Sequence, residues 1–171
     1  MTDFAAALRH VPDFPKPGID FIDITTVLQD GALFGAAIRE MDSMTGDWAF
    51  DLIVGCESRG FIFASAMACE LGKGLVLIRK KGKLPHETLS MAYELEYGKD
   101  ELEIHTDAIR PGQRVLIVDD LLASGGTTAT ALRLIEQLGG VPAGCAYFVE
   151  LTALEGRKLS GDVPVRALVR I

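Results

Sequence analysis

The architecture of this chain is indicated by one segment, Val115-Leu116-Ile117-Val118-Asp119-Asp120-Leu121-Leu122-Ala123-Ser124-Gly125-Gly126-Thr127-Thr128. Its four opening apolar residues predict a buried strand, and two adjacent carboxylates stand where we expect that strand to end. A short turn with two glycines follows, and a helical pattern then runs over residues 127–138. This order of strand, turn and helix is typical of a parallel α/β sheet.

The turn in this segment has the chemistry of a phosphate site. The N-terminus of a helix attracts anions because its N–H groups are unpaired and its dipole end is positive. Gly125 and Gly126 permit close approach of the backbone, and Ser124 and Thr127 add hydroxyl donors. The turn lacks the lysine of a Walker A loop and the glycine spacing of a dinucleotide fingerprint. An ordinary turn, in which Ser124 only caps the helix, is the alternative.

The two adjacent acids favour a ligand site over an ordinary turn. Like charges side by side are unfavourable unless a hydroxyl, a metal or another ligand compensates them. Carboxylates repel a phosphate, so Asp119 and Asp120 suit sugar hydroxyls or a cation beside it. We therefore expect phosphate, ribose and metal to meet at one strand end.

The composition of the 171-residue chain limits its class. Hydrophobic residues make up 49% of it, which suits one domain with a sizeable core. The formal net charge of −7 argues against a nucleic-acid binder, which usually carries a basic face. No apolar run reaches the ~18 residues of a membrane span, and the three cysteines lack metal-ligand spacing. We expect a cytoplasmic protein with reduced thiols that binds neither nucleic acid nor membrane.

Strand and helix patterns alternate along the rest of the chain. Residues 1 to about 50 are predicted to form an accessory N-terminal lobe, with helical patterns at 5–8 and from Leu33 to Met41. The core is predicted from about 51 to 171. Its strands are expected at 51–54, 75–78, 115–118, 145–149 and 163–169, and a helix at 61–71. This alternation predicts a single α/β domain with a mostly parallel, twisted sheet, whose ligands bind at the carboxyl ends of the strands.

A basic loop and an antiparallel hairpin interrupt this alternation over about residues 79–106. Two strand patterns, at 88–94 and 101–106, flank a turn predicted at 97–100. A hairpin inserted into a parallel sheet is suited to a lid over a site. A run of basic residues is more often only a solvated surface. Here it indicates an anion site only because two other anion-binding loops are predicted beside it.

Further motifs follow one another in an order that resembles a known family. They lie at residues 17–24, 57–61, 79–85, 95–99 and 118–127. The last resembles the phosphoribosyl pyrophosphate motif of the type I phosphoribosyltransferases, and the set resembles the adenine-specific branch over about residues 12–169. The resemblance implies the type I fold with an N-terminal hood and a hairpin lid, a Mg²⁺ cofactor and a homodimer. It implies transfer of phosphoribosyl from phosphoribosyl pyrophosphate to adenine, giving AMP and pyrophosphate.

Two alternatives stay open at this point. A sibling transferase would act on hypoxanthine, guanine, xanthine or orotate, and a non-catalytic protein would use the fold to sense phosphoribosyl pyrophosphate. Glu96 with Tyr97 and the hood around Phe21 favour adenine. The absence of a basic face in the composition argues against a DNA-binding sensor.

The resemblance also implies a role for each loop. The 5′-phosphate is expected at Ala123, Ser124, Gly125, Gly126 and Thr127, and the ribose and Mg²⁺ at Asp119 and Asp120. Pyrophosphate is expected at Glu57, Ser58, Arg59, Lys80 and Lys83, with a cis peptide between Glu57 and Ser58. Adenine is expected at Asp20, Phe21, Ile22 and Leu121.

The catalytic residues implied by the resemblance are Arg59 and Glu96. Glu96 would manage the proton at N7 of the purine, and Tyr97 would close over the ribose as part of the lid. The metal is expected to be held mainly by substrate and waters. The chain departs from the family at Ile22 and Thr26, where Arg and Pro are usual, which bears on the hood and leaves the phosphoribosyl site unchanged.

Overall fold

The structure, a computed structural model, describes residues 2–95 and 98–171. Within these ranges, residues 94, 95, 98 and 99 are described by their backbone alone. The predicted catalytic Glu96 and lid residue Tyr97 lie outside the described residues. The N-terminal lobe consists of α1 (Phe4–Ala7), β1 (Arg9–Pro12), β2 (Asp20–Asp23), α2 (Thr25–Leu28) and α3 (Gly31–Thr45). Strands β1 and β2 form an antiparallel ribbon with Arg9 opposite Asp23 and Pro12 opposite Asp20.

The remaining elements build the central sheet and its flanking helices. They are β3 (Leu52–Cys56), α4 (Gly60–Leu71), β4 (Gly74–Lys80), β5 (Thr88–Leu95), β6 (Gly98–His105), β7 (Arg114–Leu122), α5 (Gly126–Gln137), β8 (Val141–Glu150) and β9 (Val165–Arg170). The strand order is β5-β6-β4-β3-β7-β8-β9. Strands β4, β3, β7, β8 and β9 run parallel, and the β5–β6 hairpin joins β4 antiparallel at one edge. The predicted α/β fold with a mostly parallel sheet and an inserted hairpin is therefore confirmed.

Two hydrophobic clusters cover the two faces of this sheet. Along β7, Leu116 and Val118 pack into one cluster, whereas Val115 and Ile117 pack into the other. This alternation follows from the two-residue period of a strand. Helices α3 and α4 contribute to the first cluster and α5 to the second. Because both faces are covered, the inner strands are apolar throughout, and all five residues of β3 are buried.

The observed strands extend further than the apolar runs predicted. We expected the strand at 115–118 to end before the acids, which is wrong, because β7 continues to Leu122. Strand β8 runs alongside it and pairs Asp119 with Tyr147 and Leu122 with Glu150. The backbone ladder is indifferent to side-chain polarity, so a polar residue at the end of an apolar run does not end the strand.

The turn predicted at 97–100 is also wrong. Gly98 pairs with Leu95 and Asp100 pairs with Tyr93, so these residues already belong to the ladder of the hairpin. Cross-strand pairing outweighs the preference of glycine for turns here. Within residues 2–95 and 98–171, no helix combines the length and the apolar character needed to cross a membrane.

Candidate active site

Three loops leave the same edge of the sheet, at the carboxyl ends of neighbouring parallel strands. They follow β3, β4 and β7, and β3 lies between the other two and pairs with both. The prediction that these loops converge is confirmed. The strands themselves end at Cys56, Lys80 and Leu122, each beyond its predicted boundary.

The loop after β7, residues 123–125, leads directly into the N-terminus of α5. Gly125 is the N-cap residue with φ of +86°, and within the described residues no side chain caps the helix, so Ser124 is not its cap. The first helical hydrogen bond runs from Ala129 N–H to the Gly125 carbonyl, at 2.9 Å. The amide groups before Ala129 are therefore directed out of the helix, where an anion can accept from them.

A buried hydroxyl pair holds the start of this helix. The Oγ1 of Thr128 lies 2.6 Å from the hydroxyl of Tyr147 on β8. Both residues are buried, with 4% and 1% of their surface exposed. Burial is the largest cause that raises the pKa of Tyr147 well above its usual value, so the phenol stays protonated and available as a hydrogen-bond partner.

Residues 123–125, called the phosphate loop because the resemblance implies a 5′-phosphate there, border a cleft of about 960 Å³. Ala123, Ser124 and Gly126 form one wall, and residues of the N-terminal lobe form the opposite one: Ile19, Asp20 and Ile22. A third wall comes from the chain after β8, where the sequence analysis predicts no site residue: Leu151, Ala153, Leu154, Leu159 and Ile171. These residues have no helical or strand period, because Ala153, Leu154 and Leu159 lie in two short 3-10 turns, Leu151 precedes the first turn and Ile171 follows β9. A pattern-based search therefore passes over them.

The four residues expected at adenine occupy different positions around this cleft. Asp20 and Ile22 line it, and the carboxylate of Asp20 lies 2.6 Å from Nδ1 of His10. Phe21 points to the other side of β2, as strand alternation requires, and packs edge-on against Phe14 with the ring centroids 5.2 Å apart. Leu121 is half-buried and packs against the core.

Ile22, the residue at which the chain departs from its family, has a structural explanation. It is 5% exposed and belongs to the hydrophobic cluster that joins the lobe to the sheet. Thr26, the other departure, donates a hydrogen bond from its hydroxyl to the Ala7 carbonyl, at 2.6 Å. Both residues that differ from the family therefore stabilise the hood: Ile22 packs into the core, and Thr26 hydrogen-bonds to the end of α1.

The two acids at the end of β7 have different surroundings. A Cβ added to Gly60 would lie 2.2 Å from Oδ1 of Asp119, so only glycine fits at the start of α4 beside this carboxylate. Burial, and then the charge of Asp120, raise the pKa of Asp119 well above its usual value. Burial also raises the pKa of Asp120, although the charge of Arg59 acts in the opposite direction. Asp120 is buried and Asp119 half-buried, and holding two such acids together is unfavourable for the fold, which is typical of a ligand site.

Arg59 connects this acidic pair to the N-terminal lobe. Its Nε lies 2.7 Å from Oδ2 of Asp120, and its guanidinium carbon lies 5.3 Å from the centre of the Phe21 ring. A guanidinium over an aromatic face is a favourable cation–π arrangement. The planar fork is suited to phosphate oxygens, and it stands between the acids and the hood.

The loop after β3 contains the cis peptide that the resemblance implies, between Glu57 and Ser58. The carboxylate of Glu57 accepts hydrogen bonds from Arg79 Nε at 3.2 Å and from the Lys80 N–H at 3.0 Å. Its main-chain N–H donates to the Ile78 carbonyl at 2.9 Å, so both its side chain and its main chain join the loop after β3 to β4. Ser58 is exposed at the tip of the loop.

Acids on the hairpin hold the end of β4 and the loop that follows it. Lys80 Nζ lies 3.1 Å from Oδ2 of Asp100, and hydrogen bonding to that carboxylate raises the pKa of Lys80. The side chain of Lys83 is exposed, and its main-chain N–H donates to Glu103 at 2.8 Å. Sequence reasoning missed Glu103, which is 3% exposed and also accepts from Leu84 N–H. An acid in an alternating strand gives no signal that it will be buried beneath a loop.

Known proteins resemble this chain over nearly its whole length. The model of the phosphoribosyl transferase domain matches residues 27–169. The adenine phosphoribosyltransferase of Caldicellulosiruptor saccharolyticus is 60% identical over 95% of this chain and 93% of the relative. That of Acetivibrio thermocellus is 62% identical over 98% of this chain and 99% of the relative.

Solved structures resemble the chain equally closely. The adenine phosphoribosyltransferase of Thermoanaerobacter pseudethanolicus has a TM-score of 0.96 and 48% identity, with 98% of this chain and 97% of that chain covered. The enzyme of Saccharomyces cerevisiae, complexed with adenine and an iminoaltritol bisphosphate, has a TM-score of 0.90 and 40% identity, with 96% and 95% covered. The chain belongs to the phosphoribosyltransferase family and, within it, to the adenine phosphoribosyltransferases.

Proposed function

We propose that this chain acts in purine salvage by transferring the 5-phosphoribosyl group from phosphoribosyl pyrophosphate to adenine, which gives AMP and pyrophosphate. The observation that carries the proposal is the shared cleft, in which the phosphate loop of α5 faces the N-terminal lobe. Its relatives of 60% and 62% identity bear the name of this enzyme, and the yeast relative is complexed with adenine. Family and cleft therefore favour the same substrates.

The 5′-phosphate would lie against the N-terminus of α5. The main chain from Ala123 to Thr127 would donate N–H groups, and Ser124 and Thr127 would add hydroxyls. The helix dipole and the unpaired amides favour a doubly charged phosphate here. The buried Thr128–Tyr147 hydroxyl pair, at 2.6 Å, would keep this donor set in place.

The ribose would lie over Asp119 and Asp120. Oδ2 of Asp120 is buried, and its ion pair with Arg59 is not a hydrogen bond of normal geometry, so it would accept from a hydroxyl or bind a hard cation once Arg59 turns to the pyrophosphate. Oxygen donors of this kind fit Mg²⁺, which usually takes one or two carboxylates together with substrate phosphates and waters. When bound, Mg²⁺ would neutralise charge on the pyrophosphate.

Pyrophosphate would leave between the loops after β3 and β4. Arg59, Lys80 and Lys83 would supply positive charge, and the main-chain N–H of Ser58, held in place by the contacts of Glu57 with β4, would supply a further contact. Positive groups aimed at the leaving group stabilise the charge that develops as the bond to the anomeric carbon breaks. Arg59 must exchange its contact with Asp120 for the substrate, which the flexible guanidinium stem permits.

Adenine would enter between the hood and the end of β7. Asp20 and Ile22 line the cleft, whereas the ring of Phe21 projects from the opposite face of β2, beside Arg59. A base stacked on Phe21 would therefore lie on the Arg59 side of the hood, and this stacking would contribute about 1–3 kcal/mol. The guanidinium of Arg59 lies over that ring, so base binding and the release of Arg59 toward pyrophosphate would accompany one another.

The proton at N7 of the purine would be managed by Glu96, and Tyr97 would exclude water above the ribose. Both assignments rest on the family pattern, since these residues lie outside the described residues. We further propose a homodimer, for which Ile62 on α4 and Leu75 on β4, each 37% exposed, offer apolar surface. The cytoplasm is the compartment that suits three free thiols.

The test is Mg²⁺-dependent formation of AMP from phosphoribosyl pyrophosphate, with adenine, hypoxanthine, guanine and xanthine assayed in parallel. We expect turnover of adenine alone. Glu96→Ala should reduce it by about 100-fold or more, the usual contribution of a general acid or base. Glu87→Ala, which alters an exposed acid at the other end of the hairpin, is the matched control. Turnover of an oxopurine would indicate a different base site, and binding without turnover would indicate a sensor.

A further inference from the structure

We propose that residues 150–160 form a brace that sets the shape of the phosphate loop, with Gly156 as the positioning residue for the 5′-phosphate site. Four residues of the brace line one wall of the cleft, whereas Gly156 is not among the lining residues and instead lies against the main chain of residues 123–125. The functional half of the inference rests on the proposed function, because it assigns the 5′-phosphate to that loop. The structural half concerns the loop itself and can be measured without any reaction.

The brace and the loop meet main chain to main chain. A Cβ added to Gly156 would lie 2.1 Å from the carbonyl oxygen of Ala123 and 2.9 Å from the Gly125 nitrogen. A Cβ added to Gly125 would lie 2.3 Å from the carbonyl oxygen of Gly156. These neighbours are backbone atoms, so they cannot move aside as the end of a side chain can. A side chain on either glycine would force the two segments apart.

The brace is tied to the sheet at its beginning. Leu151 N–H donates to the carbonyl of Leu122, the last residue of β7, at 2.9 Å. The phosphate loop begins at the next residue, so brace and loop leave the sheet from a common point. Thr152 N–H donates to the Ile171 carbonyl at 2.7 Å, which ties the brace to the chain end beyond β9.

An ion pair holds the brace at Gly156. Glu150, the last residue of β8, is 1% exposed. It accepts from Arg157 Nε at 2.6 Å through one oxygen and from Arg157 Nη2 through the other, and Arg170 Nε lies 3.1 Å away. A forked arginine fixes direction as well as distance, because both nitrogens must meet both oxygens. The residue after Gly156 is thereby held in a defined orientation.

The backbone just before Gly156 adopts an unusual conformation. Glu155 has φ of +52°, in the left-handed region that non-glycine residues rarely occupy. Such a conformation persists only where the surrounding contacts determine it. Here it directs the chain from the first 3-10 turn into the second and brings the Cα of Gly156 against the phosphate loop.

The consequence concerns the N–H groups of the loop. Gly125 precedes the first turn of α5, so displacing it would redirect the amides that are expected to meet the 5′-phosphate. A displacement of about 1 Å at such a site can reduce rates by about 100-fold. Adenine is expected on the side of the N-terminal lobe, so its binding affinity should change little. The brace therefore acts on one of the two substrates.

The experiment compares Gly156→Ala with Gly31→Ala, since a Cβ on Gly31 meets nothing within 4 Å. Backbone hydrogen exchange at residues 125–129 and the Kd of phosphoribosyl pyrophosphate are measured on both variants and on the unaltered protein. We expect Gly156→Ala to speed exchange at these amides and to raise that Kd by about 10- to 100-fold. The KM for adenine should stay within about twofold.

A second pair of variants tests the brace independently, in case Gly156→Ala does not fold. Arg157→Lys keeps the charge and loses the fork, whereas Arg166→Lys alters a forked pair with Asp47 away from the loop. Only Arg157→Lys should reproduce the weaker binding. Unchanged exchange, or faster exchange with unchanged affinity, would overturn the brace. Failure of the unaltered protein to bind phosphoribosyl pyrophosphate would overturn the proposed function, and the exchange data would still decide whether Gly156 shapes the loop.

Discussion

Nε of Arg59 lies 2.7 Å from Oδ2 of Asp120, which links the loop expected to hold pyrophosphate to the acid expected to hold ribose. Asp120 is almost fully buried, whereas the side chain of Arg59 is 36% exposed. The same guanidinium lies over Phe21. One side chain thus contacts two of the regions to which the substrates are assigned, and its replacement should affect both.

Replacing Arg59 should reduce catalysis more than substrate binding. Arg59→Ala removes a positive fork from the leaving group and leaves the buried Asp120 without its counter-charge, so we expect kcat to fall by about 100- to 1000-fold. Arg59→Lys should retain only part of the normal kcat, because an ammonium group cannot bind two phosphate oxygens with the planar geometry of a guanidinium. Steady-state kinetics with Arg39→Ala, at an exposed arginine on α3, as control would check this. A kcat within twofold of normal would remove Arg59 from the catalytic group.

Asp119 should be unfavourable for stability and necessary for function. Burial and the neighbouring Asp120 raise its pKa, so the folded state retains the proton more tightly than the unfolded one. Stability is then lost as pH rises through the folded pKa. Asp119→Asn should therefore raise the Tm, by more at pH 8 than at pH 4, while turnover falls.

Thermal unfolding at the two pH values measures this effect. Asp107→Asn changes an exposed aspartate and serves as the control. A lower Tm for Asp119→Asn at pH 8 would contradict the account, because it would mean that the ionised acid stabilises the fold.

Glu150 should show the opposite pH dependence. Hydrogen bonds from Arg157 are the largest cause that lowers the pKa of Glu150, so its contribution to stability is present above the usual pKa near 4.5 and disappears as pH falls through the lower folded value. Glu150→Gln should cost about 1–3 kcal/mol at pH 7, less than a fully buried pair because both arginines are partly exposed.

Urea unfolding at pH 7 and at pH 3 would measure this difference between Glu150→Gln and the unaltered protein. The difference in the free energy of unfolding between the two proteins should be smaller at pH 3 than at pH 7. A gap of equal size at both pH values would show that the carboxylate's charge is not what stabilises the chain end.

Asp100 should restrain Lys80 in the absence of substrate. Their ion pair, at 3.1 Å, must open before Lys80 can reach pyrophosphate. The Lys80 side chain is exposed and that of Asp100 partly buried, and such a pair near the surface contributes about 1 kcal/mol at most, so Asp100→Asn should tighten pyrophosphate binding by at most about fivefold. Glu101→Gln, which frees the neighbouring Lys81 from a contact of 2.8 Å, is the matched control. Weaker pyrophosphate binding by Asp100→Asn in calorimetry would mean that Asp100 orients Lys80 for the anion.

The parts of this protein that could be predicted from sequence are those with a local signal. Apolar runs located the inner strands, and the pattern Asp119-Asp120 with Gly125-Gly126 located the site, because strand period and turn chemistry act over a few residues. The strand ends were misplaced because pairing with β8 carries β7 past its acids to Leu122. Local preference is overridden where a neighbouring strand offers a ladder.

The contacts that support the site could not be predicted in this way. Gly156 meets Ala123 across 33 positions of sequence, and Glu103 holds Lys83 from 20 positions away. Nothing near Gly156 or Glu103 in the sequence indicates these partners, since each contact depends on how the sheet brings distant segments together. The orientation of Phe21 away from the cleft likewise depends on the register of β2 with β1.

The most direct measurement is a crystal structure with phosphoribosyl pyrophosphate, Mg²⁺ and 9-deazaadenine, an adenine analogue whose C9 cannot serve as the ribosyl acceptor. We expect the 5′-phosphate within hydrogen-bond distance of N–H groups between Ser124 and Thr127, with the base stacked on Phe21 of the hood. A 5′-phosphate bound away from the N-terminus of α5, or a base outside the hood, would contradict it.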